Sequence, residues 1–499
     1  MKQIFIYITI VLSFTSCKKF LDVNEDPNKP VSGTLPLKAK FPAALVSTMN
    51  QETGQLNQIG ALWGGYWGTN NDGLASFIDL KTYNGPALRH QRDGIPVWED
   101  SYTNLMYYQL IREEADLSGM HFYAGAAKIM QGWHFLRLVD IYNNVPFEDA
   151  LKGTREPTPV YEDGKTVYEK SIALISQGIQ DIKNTVPGTE AGSEDIMFQG
   201  DKTKWIKFAN TIKLRALLRQ SETDNINFVN DEIRKIMQEG SGFLGVGENA
   251  FINPGYLLTA GKMNPLWESF YRSVQGVSTS NRENIRPTIF SIEQYEQRND
   301  PRLATMFVDV NGQYKGVLFG NPSTSPEYDR ANTSAFKGPL ENGGQPAGIF
   351  KSATQPSVLL ASFESLFLQA EAAERGWIAG SAAAFYNSAI EESFKFHGVL
   401  NAYADYINQP TVDYNTVPGK IANIITQKWL ALNGLNSIEA WNDYRRLGVP
   451  AVPNSLDVPA GQRPLRLMYP ETERMTNNAE ASKQGSDDVT SSPVWWDKN

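Results

Sequence analysis

Apolar residues that recur every three or four positions restrict the fold of this 499-residue chain more than any other feature. This recurrence is found in segments 126–136, 167–182, 201–216, 363–377, 382–394, 421–432 and 437–447. This period places apolar side chains on one face of an α-helix, which must pack against another element. The pattern predicts a mostly α-helical chain, and the short break at 378–381 predicts a helical hairpin.

The side chains of this hairpin indicate the kind of helix pair. Ala370, Ala373 and Ala389 are small and face the bulky Trp377 and Tyr386, which suits closely approaching helices. Such pairs are typical of tetratricopeptide-like architecture, although the full repeat signature is absent.

The segment 201–216 carries basic residues beside its apolar face. We interpret Lys204, Lys207, Lys213 and Arg215 as a solvated surface of that helix.

The first residues have the pattern of an export signal. Lys2 precedes an apolar run from Ile4 to Phe14, which is too short to span a bilayer. Small residues then lead to Cys17, and this site resembles a bacterial lipobox. We predict a signal peptide at 1–16, lipidation of Cys17, a tether at 17–36 and one domain at 37–499. The alternative is an ordinary cleaved signal in which Cys17 is incidental.

Composition excludes several classes of protein. The formal net charge of −9 offers no basic surface for a nucleic acid. Cys17 is the only cysteine, so packing and not disulfides must stabilise the domain. No apolar run of spanning length follows the signal, so we expect a protein that is anchored to a membrane without crossing it.

The common catalytic and metal-binding signatures are missing. The sequence contains no nucleophile elbow, zinc-protease helix, phosphate-binding loop or dinucleotide fingerprint. His90, His121, His134 and His397 lack the spacing of metal ligands. We predict no cofactor, no metal and no enzymatic activity. A glycoside hydrolase stays open as an alternative because it needs only two carboxylates in a cleft.

Residues 240–355 differ from the rest of the chain. Gly, Pro, Asn and Ser are frequent there, and helical periodicity mostly fails except near 265–272 and 288–297. A long irregular segment within an ordered domain usually carries function. We therefore expect ligand contacts in this region and in the loops at 60–95.

The first of these regions combines aromatic and polar groups as sugar-binding sites do. Sugars offer apolar C–H faces to aromatic rings and hydroxyls to Asn, Asp, Gln or Arg. The predicted ligand contacts here are Trp63, Tyr66, Trp67, Asn70, Asn71 and Asp72. Two interpretations of Trp63 and Trp67 stay open: exposed platforms, or helix residues buried in the core. We expect Tyr66 and residues 70–72 to be exposed.

The second region adds further candidates. Trp267, Tyr271 and Arg272 share one helical face, and Tyr314 stands among glycine and asparagine residues. Trp267 could equally belong to the core, so Tyr314 is the better candidate for a platform. Tyr328 lies in similar surroundings.

Several stretches together resemble SusD/RagB-type outer-membrane nutrient-binding lipoproteins, and more narrowly the SusD-like group. They are CKKFLDVNEDPNKP at 17–30, GAAKIMQGWHFLRLVDIYNNVPFEDAL at 125–151, KWIKFANTIKLRALLR at 204–219, QKWLALNGLNSIEAWNDYRRLGVP at 427–450 and PLRLMYPETERMTNN at 464–478. The resemblance implies a mostly α fold, in which tetratricopeptide-like pairs form a right-handed scaffold that supports a loop-rich binding region.

The same resemblance implies a function. Family members bind oligosaccharide at the cell surface and deliver it to a SusC-like TonB-dependent transporter. The RagB-like branch takes peptide, which is the nearest alternative here, and a purely structural envelope protein is a third. The residues after Cys17 lack the aspartate of inner-membrane retention, which favours an outer-membrane, lipid-anchored location.

Two conspicuous polar motifs are assigned to the scaffold and not to a site. In the stretch EAWNDYRR, Asp443 stands three residues before Arg446, so the two can pair along one side of a helix. Arg463, Arg466 and Tyr469 are interpreted as a clamp for the C-terminal segment.

Overall fold

The computed structural model describes residues 35–90 and 94–499 of the chain. The predicted signal peptide, Cys17 and the tether up to residue 34 lie outside the described residues. In chain order the helices are α1 (Leu37–Gln51), α2 (Asn57–Trp63), α3 (Ile78–Lys81), α4 (Gly85–Leu88), α5 (Val97–Ser118), α6 (His121–Tyr142), α7 (Gly164–Lys183), α8 (Lys202–Leu218), α9 (Ile226–Glu239), α10 (Pro265–Phe270), α11 (Ser280–Asn284), α12 (Ile289–Glu296), α13 (Leu303–Met306), α14 (Ser362–Glu374), α15 (Ala382–His397), α16 (Tyr403–Ile407), α17 (Lys420–Leu432), α18 (Ser437–Leu447), α19 (Glu471–Thr476) and α20 (Asn478–Ala481). The strands are β1 (Trp67–Thr69), β2 (Ala250–Ile252), β3 (Ile285–Pro287) and β4 (Ser357–Leu360). The prediction of a mostly α-helical chain is confirmed.

The long helices pack as sequential neighbours. Helix α6 contacts α5 and α7, and α7 contacts α8. Helix α14 then packs against α8, α15 and α17, while α18 packs against α17 and α2. The predicted hairpin is confirmed as α14 followed by α15. Within the described residues, no helix combines the length and apolar content needed to cross a bilayer.

Two glycines allow α6 and α7 to approach closely. A Cβ atom added to Gly125 would lie 2.6 Å from the carbonyl oxygen of Gly178, and one added to Gly178 would lie 2.7 Å from that of Gly125. Since real Cβ atoms do not come so close, each position requires glycine. The small residues therefore set the distance between these two helices.

The loop-rich region contains the two short helices that the sequence predicts. They begin at Pro265 and Ile289, as α10 and α12. Each is capped by the preceding residue. Asn264 Oδ1 accepts from the Trp267 amide at 3.1 Å, and Thr288 Oγ1 accepts from the Ser291 amide at 2.9 Å. Such caps satisfy amides that a helix start leaves without partners.

A buried carboxylate joins three of the long helices. Glu439 of α18 pairs with Arg137 of α6 and with Arg219 of α8, and it lies 3.6 Å from Arg215 of α8. All four side chains are buried. Burial alone would raise the pKa of Glu439, but the three arginines outweigh burial and hold the pKa well below its usual range.

Further buried charges extend this arrangement through α14 and α17. Asp443 lies 2.6 Å from Lys428 and 3.0 Å from Arg446, and Arg446 pairs with Glu371 at 2.6 Å. The predicted pairing of Asp443 with Arg446 is confirmed. We call the following residues the buried ionic cluster: Glu52, Arg137, Arg215, Arg219, Glu364, Glu371, Lys428, Glu439, Asp443 and Arg446.

The interpretation of the α8 basic residues as a solvated surface is wrong for two of them. Lys213 and Arg215 are buried, and they pair with Glu232 at 3.1 Å and with Glu364 at 3.2 Å. Helix α8 is enclosed by α7, α9 and α14, so its cations meet carboxylates from those helices instead of water.

The C-terminal segment is held as the sequence predicts. Arg463 pairs with Asp497 at 3.0 Å, and Arg466 pairs with Asp487 at 3.3 Å. The Tyr469 hydroxyl donates to the backbone carbonyl oxygens of Tyr142 and Asn144, each at 2.9 Å. These contacts fasten the end of the chain to the helices.

Replacing Glu439 should destabilise the fold strongly. Glu439→Ala leaves three arginines buried without their shared carboxylate, which costs about 3–5 kcal/mol for a broken buried ion pair. Urea unfolding followed by circular dichroism measures the change. The matched control is Asp231→Ala, which removes an exposed pair with Arg234 and should cost less than about 1 kcal/mol. Equal stabilities of the two variants would contradict the role given to Glu439.

Candidate functional site

The two loop regions that the sequence marks for ligand contacts meet in one sheet. Strand β1 pairs antiparallel with β3, so that Trp67 lies opposite Pro287. The pairing continues beyond the strands, where the amide of Thr288 donates to the carbonyl oxygen of Tyr66 at 2.9 Å. Segments that are far apart in the sequence therefore present their loops side by side.

Side chains fasten a third segment to these two. Asn71 Nδ2 donates to the carbonyl oxygen of Ser325 at 2.7 Å. We call the surface formed by residues 70–79, 271–286 and 325–342 the loop face.

Trp63 and Trp67 lie in the core, which is one of the two interpretations that the sequence leaves open. Trp63 is the last residue of α2, and its indole nitrogen donates to the carbonyl oxygen of Leu80 at 2.9 Å. The indole nitrogen of Trp67 donates to Asn433 Oδ1 at 3.1 Å. Both rings are enclosed, so they support the loop face from beneath and do not reach its surface.

The expected exposure of Tyr66 is wrong. Its ring stacks on Trp429 with 4.3 Å between centroids, and its hydroxyl donates to the backbone carbonyl of the same residue. Tyr66 is 0% exposed, and the indole nitrogen of Trp429 donates to the Gly64 carbonyl oxygen at 2.8 Å, so this turn lies against α17.

The expected exposure of Asn70 is wrong as well. Its Oδ1 atom accepts from the Gly73 amide at 3.0 Å, and its Nδ2 atom donates to the carbonyl oxygen of Glu283 at 2.7 Å. Both ends of the amide are used to close the turn and to join the two loop regions, so the side chain is buried.

Asn71 and Asp72 lie nearer the surface. Asn71 is half-buried and donates to Asp329 Oδ1 at 2.9 Å. Asp72 is exposed, with 54% of its side chain accessible, and lies 3.2 Å from Arg330 Nε. The expected exposure of Asp72 is confirmed.

Tyr271 and Arg272 converge on a residue that the sequence analysis does not single out. The Tyr271 hydroxyl donates to Glu341 Oε2 at 2.8 Å, and Arg272 donates to Glu341 Oε1 at 2.7 Å. Arg282 donates to the same oxygen at 2.6 Å. Trp267 is half-buried and packs edge-on against Tyr271 at 4.5 Å.

The surroundings of Glu341 favour its ionised form. Burial alone would raise the pKa of Glu341, but hydrogen bonds from Arg272 and Tyr271 outweigh burial, and the net shift is downward. Glu341 is therefore a fixed negative charge at neutral pH that holds two guanidinium groups in place.

The ion pairs alternate in sign across the loop face. Arg282 and Glu283 are neighbours on α11, and Glu283 lies 2.7 Å from Arg330, which also pairs with Asp72. In spatial order the chain of charges is Arg272, Glu341, Arg282, Glu283, Arg330 and Asp72. Such a chain orders loops that have no long helix or strand of their own.

Two aromatic residues of the loop-rich region remain partly accessible. Tyr328 ends a one-turn 3₁₀ helix (Pro326–Tyr328) and is half-buried, two residues before Arg330. Tyr314 is half-buried beside the short turn closed by Val310 and Gln313, and it packs against the core. The described contacts place Tyr328 in the loop face, and they do not connect Tyr314 to the chain of charges.

No sequence pattern singles out Arg282, Glu283, Arg330 or Glu341. The only signal in the sequence is their charge within a Gly-, Pro- and Asn-rich region, and nothing there shows which charges pair. In the part of the chain that the structure describes, no three His, Cys, Asp or Glu side chains form a group that could hold a metal ion.

Comparison with known proteins gives the fold and the family. The model of the family SusD-like_2, described as "Starch-binding associating with outer membrane", matches residues 36–470. A SusD homologue from Bacteroides fragilis is similar in structure, with a TM-score of 0.74, 22% identity, and coverage of 92% of this chain and 99% of that one. A chitin-binding SusD homologue from Flavobacterium johnsoniae has a TM-score of 0.74 and 23% identity, with coverage of 93% and 99%. A SusD homologue from Bacteroides uniformis has a TM-score of 0.72 and 21% identity, with coverage of 92% and 99%. No curated protein matches the chain by sequence.

Enlarging Gly338 should disturb the centre of the loop face. A Cβ atom there would lie 2.4 Å from Cζ of Tyr271, whose enclosed ring has little room to move. We expect Gly338→Ala to displace Tyr271 from Glu341 and to lower the free energy of unfolding by about 1–3 kcal/mol. Thermal unfolding measures this loss. Gly54→Ala is the matched control because a Cβ there meets nothing within 4 Å. A Gly338 variant as stable as the control would contradict the packing described.

Proposed function

We propose that this chain, which belongs to the SusD-like family, binds oligosaccharide at the loop face. In this proposal the protein is non-catalytic and is anchored to the outer membrane by lipid. The family model covers residues 36–470 and carries a description that joins starch binding to the outer membrane. The protein would deliver its ligand to a SusC-like TonB-dependent transporter, as the resemblance to the family implies.

The convergence of three segments on the loop face carries this proposal. Ordered loops on a rigid helical frame are typical positions for binding residues. The loop face offers the ring of Tyr328, the exposed carboxylate of Asp72 and the guanidinium of Arg330, whose side chain is 43% accessible. An aromatic ring beside fixed charges and amides suits the apolar faces and hydroxyls of a sugar.

Carbohydrate is the ligand class that the relatives favour. One structural relative is described as a chitin-binding SusD homologue. Identity with that protein is 23%, so the particular glycan does not transfer. Peptide, the alternative ligand of the RagB-like branch, is one of the outcomes that the binding experiment separates.

The ionisation of the loop face supports binding without catalysis. A glycoside hydrolase needs one carboxylic acid whose pKa is raised so that it can protonate the leaving group. Glu341 has the opposite shift, because two arginines and Tyr271 stabilise its carboxylate. Glu283 and Asp72 are also engaged with an arginine, Arg330.

Removing the accessible ring of the loop face should weaken oligosaccharide binding. On a glycan and peptide array, we expect the protein to bind glycans and Tyr328→Ala to lower the affinity about three- to tenfold, the size of one lost aromatic contact. The control variant is Tyr107→Ala, which removes a tyrosine of α5 that is 44% exposed.

Three results of this experiment would contradict the proposal. Binding to peptides alone would favour the RagB-like alternative. Release of reducing ends from a bound glycan would show catalysis. Equal losses in the Tyr328 and Tyr107 variants would place the glycan away from the loop face.

Lipidation at Cys17 is a separate part of the proposal. Each buried CH₂ group contributes roughly 0.8 kcal/mol to membrane binding, and two acyl chains suffice for stable anchoring. We expect Cys17→Ser to move the protein from the outer-membrane fraction to the soluble fraction. Fractionation and immunoblotting measure this, with Ser16→Ala as the control that keeps both a small residue and the cysteine. Retention of the Cys17 variant in the membrane would contradict lipid anchoring.

A further inference from the structure

A cavity of about 270 Å³ lies away from the residues of the loop face. It is bordered by β2, by the first turn of α14 and by the last turns of α15. Its lining includes Asn249, Phe251, Lys351, Glu392, Lys395 and Phe396. None of these residues takes part in the chain of charges described above.

Lys351 lines this cavity without a polar partner for its ammonium group. The group lies 3.6 Å from the centroid of the Phe396 ring, and no hydrogen bond or ion pair joins it to any residue that the structure describes. Burial lowers the pKa of Lys351 to about 8, because the charged form has lost water and gained no carboxylate. The side chain is half-buried and its charge contacts only this aromatic ring, so the cavity leaves room for an anionic partner.

The other ionisable groups leave the cavity with an excess of positive charge. Lys395 lies 3.8 Å from Glu392 Oε1, while Glu392 Oε2 already accepts from Ser362 Oγ at 2.7 Å and from the Gly247 amide at 2.8 Å. The cavity thus contains two ammonium groups and one carboxylate.

His397 is a further titratable group close to Lys351. Burial lowers the pKa of His397 to about 3, so its imidazole is neutral at physiological pH. It adds no charge to the cavity.

Neutral groups of the lining suit a sugar ring. Asn249 accepts from the Ser362 amide at 2.8 Å through Oδ1, whereas its Nδ2 atom has only a long contact of 3.5 Å, with the Gly247 carbonyl oxygen. That amide group can still donate to a ligand hydroxyl. The half-buried ring of Phe251 provides an apolar wall. The volume lies slightly below the roughly 300–1,000 Å³ of typical small-molecule sites, which favours one sugar unit over a chain.

We infer that this cavity binds a single sugar unit that carries a carboxylate, of the uronic-acid class, with the carboxylate against the ammonium group of Lys351. A charge-assisted hydrogen bond is about twice as strong as a neutral one, and it gives Lys351 the anionic partner that the protein does not supply. The inference does not depend on the loop face, because the two sites share no residue. Failure of one binding experiment therefore leaves the other intact.

Calorimetric titration of the purified full-length protein in detergent tests the inference. The probes are D-glucuronate, D-glucose as the neutral sugar of similar shape, and acetate as a carboxylate without a sugar ring. We expect saturable binding of glucuronate, with glucose and acetate at least tenfold weaker. Glucose binding as tight as glucuronate would overturn the role of the carboxylate. Acetate binding as tight as glucuronate binding would overturn the recognition of a sugar ring. The absence of glucuronate binding would overturn the proposed site.

Variants of the two lysines locate the carboxylate. Lys351→Met should lower glucuronate affinity at least tenfold, because it removes the charge while keeping a long side chain. Lys395→Met is the matched control on the same cavity, and it should lower affinity less than about threefold, since its side chain is 65% exposed and screened by solvent. Circular dichroism verifies that both variants fold. Equal affinities of wild type and Lys351→Met would overturn the assignment.

The pH dependence of binding tests the role of Lys351 without a variant. Lys351 must be protonated to bind an anion, so affinity should be full below about pH 8 and should fall as pH rises through that value. Between about pH 7 and about pH 9.5 the protonated fraction falls by roughly 30-fold, and glucuronate affinity should fall with it. Constant affinity over this interval would overturn the role of Lys351.

Discussion

Buried ion pairing around Glu439 is the interaction on which the arrangement of the helices depends. Arginines from α6 and α8 meet this one carboxylate, and Asp443 of the same helix meets Lys428 of α17. A buried charge that loses its partner costs several kcal/mol, whereas many apolar contacts tolerate small shifts of a helix. The charges therefore select one relative position for helices that apolar packing alone would fix less strictly.

Helix α17 connects the buried ionic cluster to the loops. The ring of Tyr66 stacks on Trp429, Trp67 donates to Asn433, and the hydroxyl of Tyr295 donates to the carbonyl oxygen of Leu430. Aromatic side chains with one polar atom are suited to this task, since they bury a large area and still fix an orientation. The loops that carry the candidate site thus rest on the end of a helix whose position the buried ionic cluster defines.

The two candidate binding regions differ in how their charges are satisfied. On the loop face, Glu341 and Arg330 each have partners within the protein, so their charges order the surface. In the cavity at α15, the ammonium group of Lys351 contacts the ring of Phe396 and no carboxylate. The same residue types are therefore paired with opposite charges in one place and left without them in the other.

The amino-acid sequence predicts the helical class, the hairpin of α14 and α15 and the short helices α10 and α12, because helical periodicity and caps are local properties. It also marked the two loop regions that β1 and β3 bring together. It does not predict that Tyr66 and Asn70 are buried, that Arg215 faces carboxylates instead of water, or that Glu341 pairs with two arginines. Burial and ion pairing depend on which distant segments arrive at the same point, and no local pattern contains that information.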